Sequence, residues 1–385
     1  MSVLIKKIST FRRVARSQGM AGIQSVVRQK MDSKPLVQYA RLAPSAIPAI
    51  MRYGLPDVFV YFLGGIGDDL LLTVMFRELR LRHRPKLWAM SWYPDVFRHN
   101  HDVDLVVPQR PRYERLMKRL KVKIVTPWYS NYHPAYDRDD PYPEQHIISI
   151  MCQKAGILGS ITLKPYLSLQ ESERKGGQLV RRQVAIQSGG LTARHAMTNK
   201  NWFAERYQSL VSTLSHKYDF VQLGSSSDPP LDGALDLRGK TGIRESAAIL
   251  DRSLAFVGQV GFLMHLARAV DCRSVILYGG REKPSQSGYT CNENLYREVG
   301  CSPCWRLNSC PYERECMRRI STRDAIDALE RQVERYGTPL ACDTDTITQE
   351  QIDRTALRYA DAVQTHRRAW ALIEDGLEQS PLLTT

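Results

Sequence analysis

The sequence predicts a layered α/β protein made of two domains of similar kind. Three observations point there: the length, a strand, glycine turn and helix in direct succession over residues 57–83, and a second alternation of strands and helices from residue 183 onward. At 385 residues the chain is long for one hydrophobic core, so two domains of about 150–190 residues are the expected division. In the first unit, "DVFVYFL" (57–63) is a β-branched and aromatic run suited to a buried parallel strand. It leads straight into "GGIGDD" and the helix-compatible "LLLTVMFRELRLRH". The short hydrophobic runs "KLWAMSW", "VDLVVP" and "VKIVTP" follow, with helical "RYERLMKRLK" between the last two. That beat belongs to a sheet covered by helices, not to an antiparallel sandwich. After the charged "QESERKGGQLVRR" the pattern restarts with strand "QVAIQSG", a helix over "NKNWFAERYQSLVSTLSHKY" and strand "DFVQLG". Helix, strand, helix and strand then continue to "RSVILYGG", and "RDAIDALERQVERY" and everything from "TDTITQEQ" onward read as helices. The expected division is a basic extension over 1–50, a first domain over 51–170, a second over 171–335 that holds the cysteine-rich stretch 301–316, and C-terminal helices over 336–385.

Composition excludes several classes. No apolar run approaches the roughly 20 residues of a membrane span, and the start of the chain lacks the apolar core and small-residue cleavage site of a secretory signal. A cytoplasmic address is expected. The net charge of +14 favours an anionic partner, whether nucleic acid, an acidic membrane surface or a phosphorylated substrate. Seven Lys or Arg and no acid stand in the first thirty residues, which suits a segment lying on an anionic leaflet as well as a solvated basic helix. The aromatics lack the interleaving of an RNA-binding sheet, and no zinc-finger or helix-turn-helix spacing accompanies the charge, so nucleic acid is disfavoured.

Several residues carry candidate chemistry. Gly64, Gly65 and Gly67 turn the backbone at a strand end and present amides at a helix start, a berth for an anion or a sugar or simply a tight turn. Asp68 and Asp69 either cap that helix or supply a general base. Lys200 stands at or just before a helix start, where an ammonium meets phosphates or merely solvent. His265 lies at a strand-to-helix passage beside Gly258 and Gly261, as a structural histidine or a hydrogen-bonding partner of substrate. Gly279, Gly280, Arg281 and Lys283 close the next strand, another place suited to an anion. Finally, Cys301, Cys304, Cys310 and Cys316 are spaced C-x₂-C-x₅-C-x₅-C, compact enough for four thiolates to enclose one structural Zn or Fe ion, with Trp305 covering one side. Free buried thiols are the competing reading.

Four stretches in order resemble glycosyltransferase family 9, the group that contains the lipopolysaccharide heptosyltransferases. "GGIGDDLLLTVMFRELR" resembles its opening Gly-Asp motif and "NKNWFAERYQSLV" its Lys-x-Trp helix start. "DLRGKTGIRESAAILDRSLAFVGQVGFLMHLARAVDCRSVILYGG" is similar to its donor-site block, and "CSPCWRLNSCPYERECMRRIS" to the cysteine-bearing tail of some members, including relatives that glycosylate autotransporter proteins. The resemblance covers roughly residues 57–335. It implies a GT-B fold of two facing Rossmann-like domains with parallel sheets, acceptor on the first and nucleotide sugar on the second, and metal-independent inverting transfer. By the same resemblance Asp68 is the base and Lys200 binds phosphate, with Gly67, Thr241, Gly258, Gly261, His265 and Gly280 around the donor. No cofactor is implied for catalysis. The implied donor is ADP-heptose or a related nucleotide sugar. The implied acceptor is a lipopolysaccharide, surface polysaccharide or protein, reached by a cytoplasmic enzyme peripheral to the inner face of the membrane, with self-association a further expectation. One departure bears on the donor: where the heptosyltransferases usually carry an acid, this chain has Gln259 and Val260, which also keeps a noncatalytic nucleotide-sugar-binding protein in view.

Overall fold

A computed structural model describes residues 46–62, 64–109, 111–129, 143, 145–190, 197–306 and 308–354. Residues 1–45 of the basic start and the chain beyond 354 lie outside the described residues, and 349–354, in the last expected helical stretch, are helical. A helix over 46–53 precedes the first sheet. The elements that build the first domain are β1 (Val58–Tyr61), α1 (Ile66–His83), β2 (Leu87–Ser91), β3 (Leu105–Pro108), α2 (Pro111–Arg119), β4 (Lys123–Val125), α3 (Ile147–Lys154) and β5 (Gly159–Thr162). The second domain follows through α4 (Glu171–Lys175), β6 (Gln183–Ile186), α5 (Ala204–Leu214), β7 (Asp219–Gln222), β8 (Leu235–Asp236), α6 (Ile243–Asp251), β9 (Ala255–Gln259) and α7 (Phe262–Ala269). It closes with β10 (Ser274–Tyr278), α8 (Pro284–Ser287), β11 (Glu293–Tyr296), α9 (Glu315–Arg318) and α10 (Thr322–Glu334), and β12 (Thr344–Ile347) follows it.

Two parallel sheets result. The first has the order β3-β2-β1-β4 and the second β11-β10-β9-β6-β7-β8. In both, the central strands reverse direction in the order of the chain, so a crevice opens where the carboxyl ends of neighbouring strands diverge. This is the GT-B arrangement of two Rossmann-like domains that the resemblance implies. Side-chain alternation explains how each sheet is covered on both faces. Val58 and Val60 of β1 point to one apolar cluster while Phe59 between them joins Trp88, Tyr113 and Met117 in another. In β9, Phe256 faces the first of these clusters, while Ala255 and Val257 face α5 and α10.

The shared cluster is continuous across both domains. Leu70, Leu71 and Val74 of α1 and Ile148 and Met151 of α3 belong to it together with Ala247 and Ile249 of α6 and Leu263, Met264 and Leu266 of α7. Helix α1 consequently has no solvent face over most of its length: residues 69–76, Glu78 and Leu79 are all buried. Polar ties cross the same seam. Arg244 of α6 pairs with Glu173 and donates to the carbonyls of Asp95 and Arg98. His146, which caps α3 by accepting from Ile148 N–H at 3.2 Å, reaches Gly288 O at 3.0 Å through Nε2.

Two elements differ from the sequence expectation, the first being the helix expected over 199–218, which is confined to Ala204–Leu214. Thr344–Ile347, expected in a helix, is a strand antiparallel to β5. Its β-branched threonine and isoleucine residues suit an extended chain, and the open edge of Gly159–Thr162 decides the matter.

Candidate functional site

Where the carboxyl ends of β1, β4, β6, β9 and β10 face one another, the domains enclose a cavity of about 500 Å³. Gly67 and Asp68 line it from the first domain; Lys200, Thr241, Gly261 and His265 line it from the second. Gly258 and Gly280 are placed elsewhere. Gly258 lies within β9, where a Cβ would meet the Phe256 ring at 2.4 Å, and the Gly280 N–H donates to Cys316 Sγ at 2.9 Å.

Asp68 caps the helix and also borders the cavity. It is the third residue of α1, and its Oδ2 accepts the Gly65 N–H at 2.6 Å, capping the helix. Its Oδ1 accepts the hydroxyl of Tyr129 at 2.6 Å, and the carboxyl still borders the cavity. Gly64 has to be a glycine for this turn, because a Cβ there would lie 2.5 Å from both the Phe62 ring and Asp68 Cβ. Burial raises the Asp68 carboxyl above its ordinary value, against the pull of the Tyr129 and Gly65 hydrogen bonds and the Lys200 charge. Such a group is a stronger base than an exposed aspartate once ionised.

Asp69 is the buried neighbour that faces inward. Ser91 donates to it, but burial and then the charge of Asp68 push its carboxyl up to about 8. The native state therefore holds a proton that the unfolded chain, with an aspartate near the usual ~3.9, releases. Stability then falls as pH rises from about 4 to about 8. Asp69→Asn is expected to raise the melting temperature over wild type by an amount that grows between pH 5 and 8.5. A difference that does not change across that range, followed in thermal melts, contradicts it.

Lys200 closes a 3-10 turn (Thr198–Lys200) just ahead of α5. Its Nζ lies 2.6 Å from Oε1 of the buried Glu282 at the cavity wall, Lys200 itself being half-buried. Burial alone would raise Glu282, but the charges of Lys200 and Arg281 hold it at about 2, fully ionised. Thr241 Oγ1 lies 2.9 Å from Ser246 Oγ at the start of α6. His265 is buried on α7 with Nδ1 2.7 Å from the Tyr289 hydroxyl, and burial, then the charge of His146, lowers it to about 3. It is a neutral imidazole at physiological pH. Gln259 and Val260 also border the cavity, and the buried Gln259 Oε1 has no partner among the described residues.

The expected zinc or iron site at Cys301, Cys304, Cys310 and Cys316 is corrected by the structure. Among the described residues no group of three or more His, Cys, Asp or Glu is placed to hold a metal ion, and all eight cysteines are free. The thiols have other neighbours: Cys316 accepts the Gly280 N–H and Cys310 the Arg314 N–H at 3.3 Å. Burial also raises Cys304 and Cys316 above the ordinary thiol value, which favours thiols over the thiolates a metal needs. What the segment does contribute is Trp305. The Trp305 backbone N–H donates to Arg281 O at 2.9 Å, and its buried ring forms part of the cavity wall.

Tyr129, Glu282 and Trp305 are site residues that the sequence does not single out for chemistry. The available signals are weak: Tyr129 follows a strand end in "VKIVTPWY", and Glu282 stands between Arg281 and Lys283 after another.

The model of glycosyltransferase family 9 (heptosyltransferase) matches residues 161–312. No curated protein matches the chain in sequence. Among solved structures, E. coli ADP-heptose LPS heptosyltransferase II aligns with a TM-score of 0.56 at 15% identity, over 72% of this chain and 98% of that one. A family 9 glycosyl transferase from Veillonella parvula gives a TM-score of 0.55 at 15% identity, over 72% and 97%. The dodecameric iron-containing heptosyltransferase TibC, solved in complex with ADP-D-beta-D-heptose, gives a TM-score of 0.56 at 15% identity, over 73% and 76%. In the sequence of residues 161–312 and in fold, the chain therefore matches glycosyltransferase family 9 (heptosyltransferase).

Proposed function

We propose that the chain is an inverting glycosyltransferase that moves a sugar from a nucleotide sugar, ADP-heptose foremost, to a hydroxyl of a surface saccharide or protein. The observation that supports this most is the meeting of a half-buried carboxyl from one domain, Asp68, with Lys200 and Arg281 from the other in a single cavity. In the reaction, the acceptor oxygen bonds to the anomeric carbon as its proton passes to Asp68. The bond from that carbon to the phosphate oxygen breaks, and its electron pair leaves with the nucleoside diphosphate. Cationic side chains and the backbone amides at the starts of α6 and α7 answer the charge that develops on the leaving group, which is the work a metal ion would otherwise do. Neutral His265 serves as a hydrogen-bond partner rather than as a charge.

The acceptor side is open by the same argument to a lipid-linked saccharide, and seven basic residues in the first thirty support a membrane-proximal place for the enzyme. Among the described residues no helix is long and apolar enough to cross a membrane. TibC, which shares the fold, is dodecameric, and self-association of this chain is part of the proposal on that likeness.

Calorimetric titration with ADP-heptose, then with ADP-, GDP- and UDP-hexoses, tests the reading. Saturable binding of one of them is expected. Folded protein that binds none of them overturns the proposal and turns attention to Gln259 and Val260, neither of which carries a charge.

A further inference from the structure

Two cations stand beside one carboxylate on the second domain's side of the cavity. The Lys200 ammonium meets Glu282 Oε1 at 2.6 Å, whereas Arg281 Nη1 reaches the same oxygen only at 3.5 Å. Lys200 is thus neutralised within the protein, and the Arg281 charge is left largely unanswered. Arg281 is nonetheless only 6% exposed, and its Nε has no hydrogen-bond partner among the described residues. Burying a guanidinium donor without a partner is costly, and Arg281 lines the cavity, where a ligand atom can supply one. The remaining geometry leaves the right part of the group free. Trp305 takes one face of the guanidinium, whose carbon lies 4.5 Å from the ring centroid. Stacking holds the plane and leaves the N–H edge to bond in that plane, where a phosphate accepts two donors at once.

We infer that Arg281, held flat on Trp305, binds the diphosphate of the nucleotide sugar as its principal counter-charge, while Lys200 serves mainly as the ion-pair partner of Glu282. This rests on the nucleotide-sugar reading above and goes beyond it, because it moves the main phosphate contact from Lys200 to a different residue. The cysteine-bearing segment gains a role by the same arrangement, since the backbone bond from Trp305 N–H to Arg281 O fixes the ring under the cation.

The test uses the full chain and three probes, namely inorganic pyrophosphate, ADP and adenosine, titrated calorimetrically into wild type, Arg281→Gln and Arg281→Lys, with circular dichroism to establish folding. Wild type is expected to bind pyrophosphate, and ADP more tightly than adenosine. Arg281→Gln is expected to weaken pyrophosphate and ADP by about 30-fold or more, with adenosine unchanged within about twofold. Arg281→Lys, which keeps the charge and loses the planar fork, should fall between them, and it carries the test if the glutamine variant does not fold. Equal affinity of wild type and variants for ADP overturns the assignment and leaves the nucleotide-sugar reading standing. A wild type that binds adenosine as well as ADP does the same. Failure of wild type to bind pyrophosphate or any nucleotide overturns both.

Discussion

Asp68→Asn is expected to lower the turnover of sugar transfer by about 10²–10⁴-fold while leaving nucleotide-sugar affinity close to wild type. Asparagine suits the test better than alanine. Its Oδ1 can still accept the Gly65 N–H, and its amide can donate to Tyr129 Oη, so both hydrogen bonds that hold the wild-type carboxyl have counterparts. Alanine would remove the helix cap as well and cost about 1 kcal/mol of stability for reasons unrelated to chemistry. A pH profile adds a second readout. Because burial raises Asp68, the acid limb of kcat/KM should lie above the ordinary aspartate range, with activity lost as pH falls through it. That limb disappears in the variant. Transfer at wild-type rate by Asp68→Asn would remove the base from the mechanism, and loss of donor binding would make Asp68 a structural or binding residue instead.

The largest effect on stability is expected at the Lys200–Glu282 pair. Removing Lys200 leaves the ionised Glu282, only 4% exposed, with the 3.5 Å contact to Arg281 as its remaining ion pair among the described residues. Breaking a buried pair from one side typically costs about 3–5 kcal/mol. Lys200→Ala should therefore melt well below wild type, and its weakened donor binding would say little about phosphate contacts. The double variant Lys200→Met, Glu282→Gln removes both charges and should recover most of the loss, which denaturant titration of the four proteins in the cycle would show. Because the folded Glu282 sits at about 2, below its usual 4.5, the glutamate's share of the pair is fully present above pH ~4.5 and is lost as pH falls toward 2, whereas burial, against the pull of Glu282, lowers Lys200. An additive cycle, with no recovery in the double variant, would mean that the two residues do not depend on each other.

Much of the framework is legible in the sequence because local signals and the fold agree. "DVFVYFL" followed by "GGIGDD" can hardly be anything but a buried strand turning into a helix, and Asp68 is visible there because it belongs to the turn itself. Lys200 is visible in the same way, from its place ahead of a helix. Tyr129 and Glu282 are not, since their meaning arises from partners 61 and 82 residues away in the chain. The cysteines mislead for a related reason. Their spacing permits a tetrahedral cluster, yet spacing says nothing about the backbone of Gly280 and Arg314, to which Cys316 and Cys310 are bound. The strand at Thr344–Ile347 reads as helix because its pairing edge lies far upstream at Gly159–Thr162.

The apolar cluster that runs unbroken from α1 and α3 into α6 and α7 has a consequence for how ligands come and go. A wide hinge would pull Leu70, Met151, Leu263 and Met264 apart and wet them together, at about 25 cal/mol for each Å² exposed. Small shear between α1 and α7 would keep those side chains in apolar surroundings. Any opening that lets a ligand exchange is therefore expected to cost least as shear between packed helices.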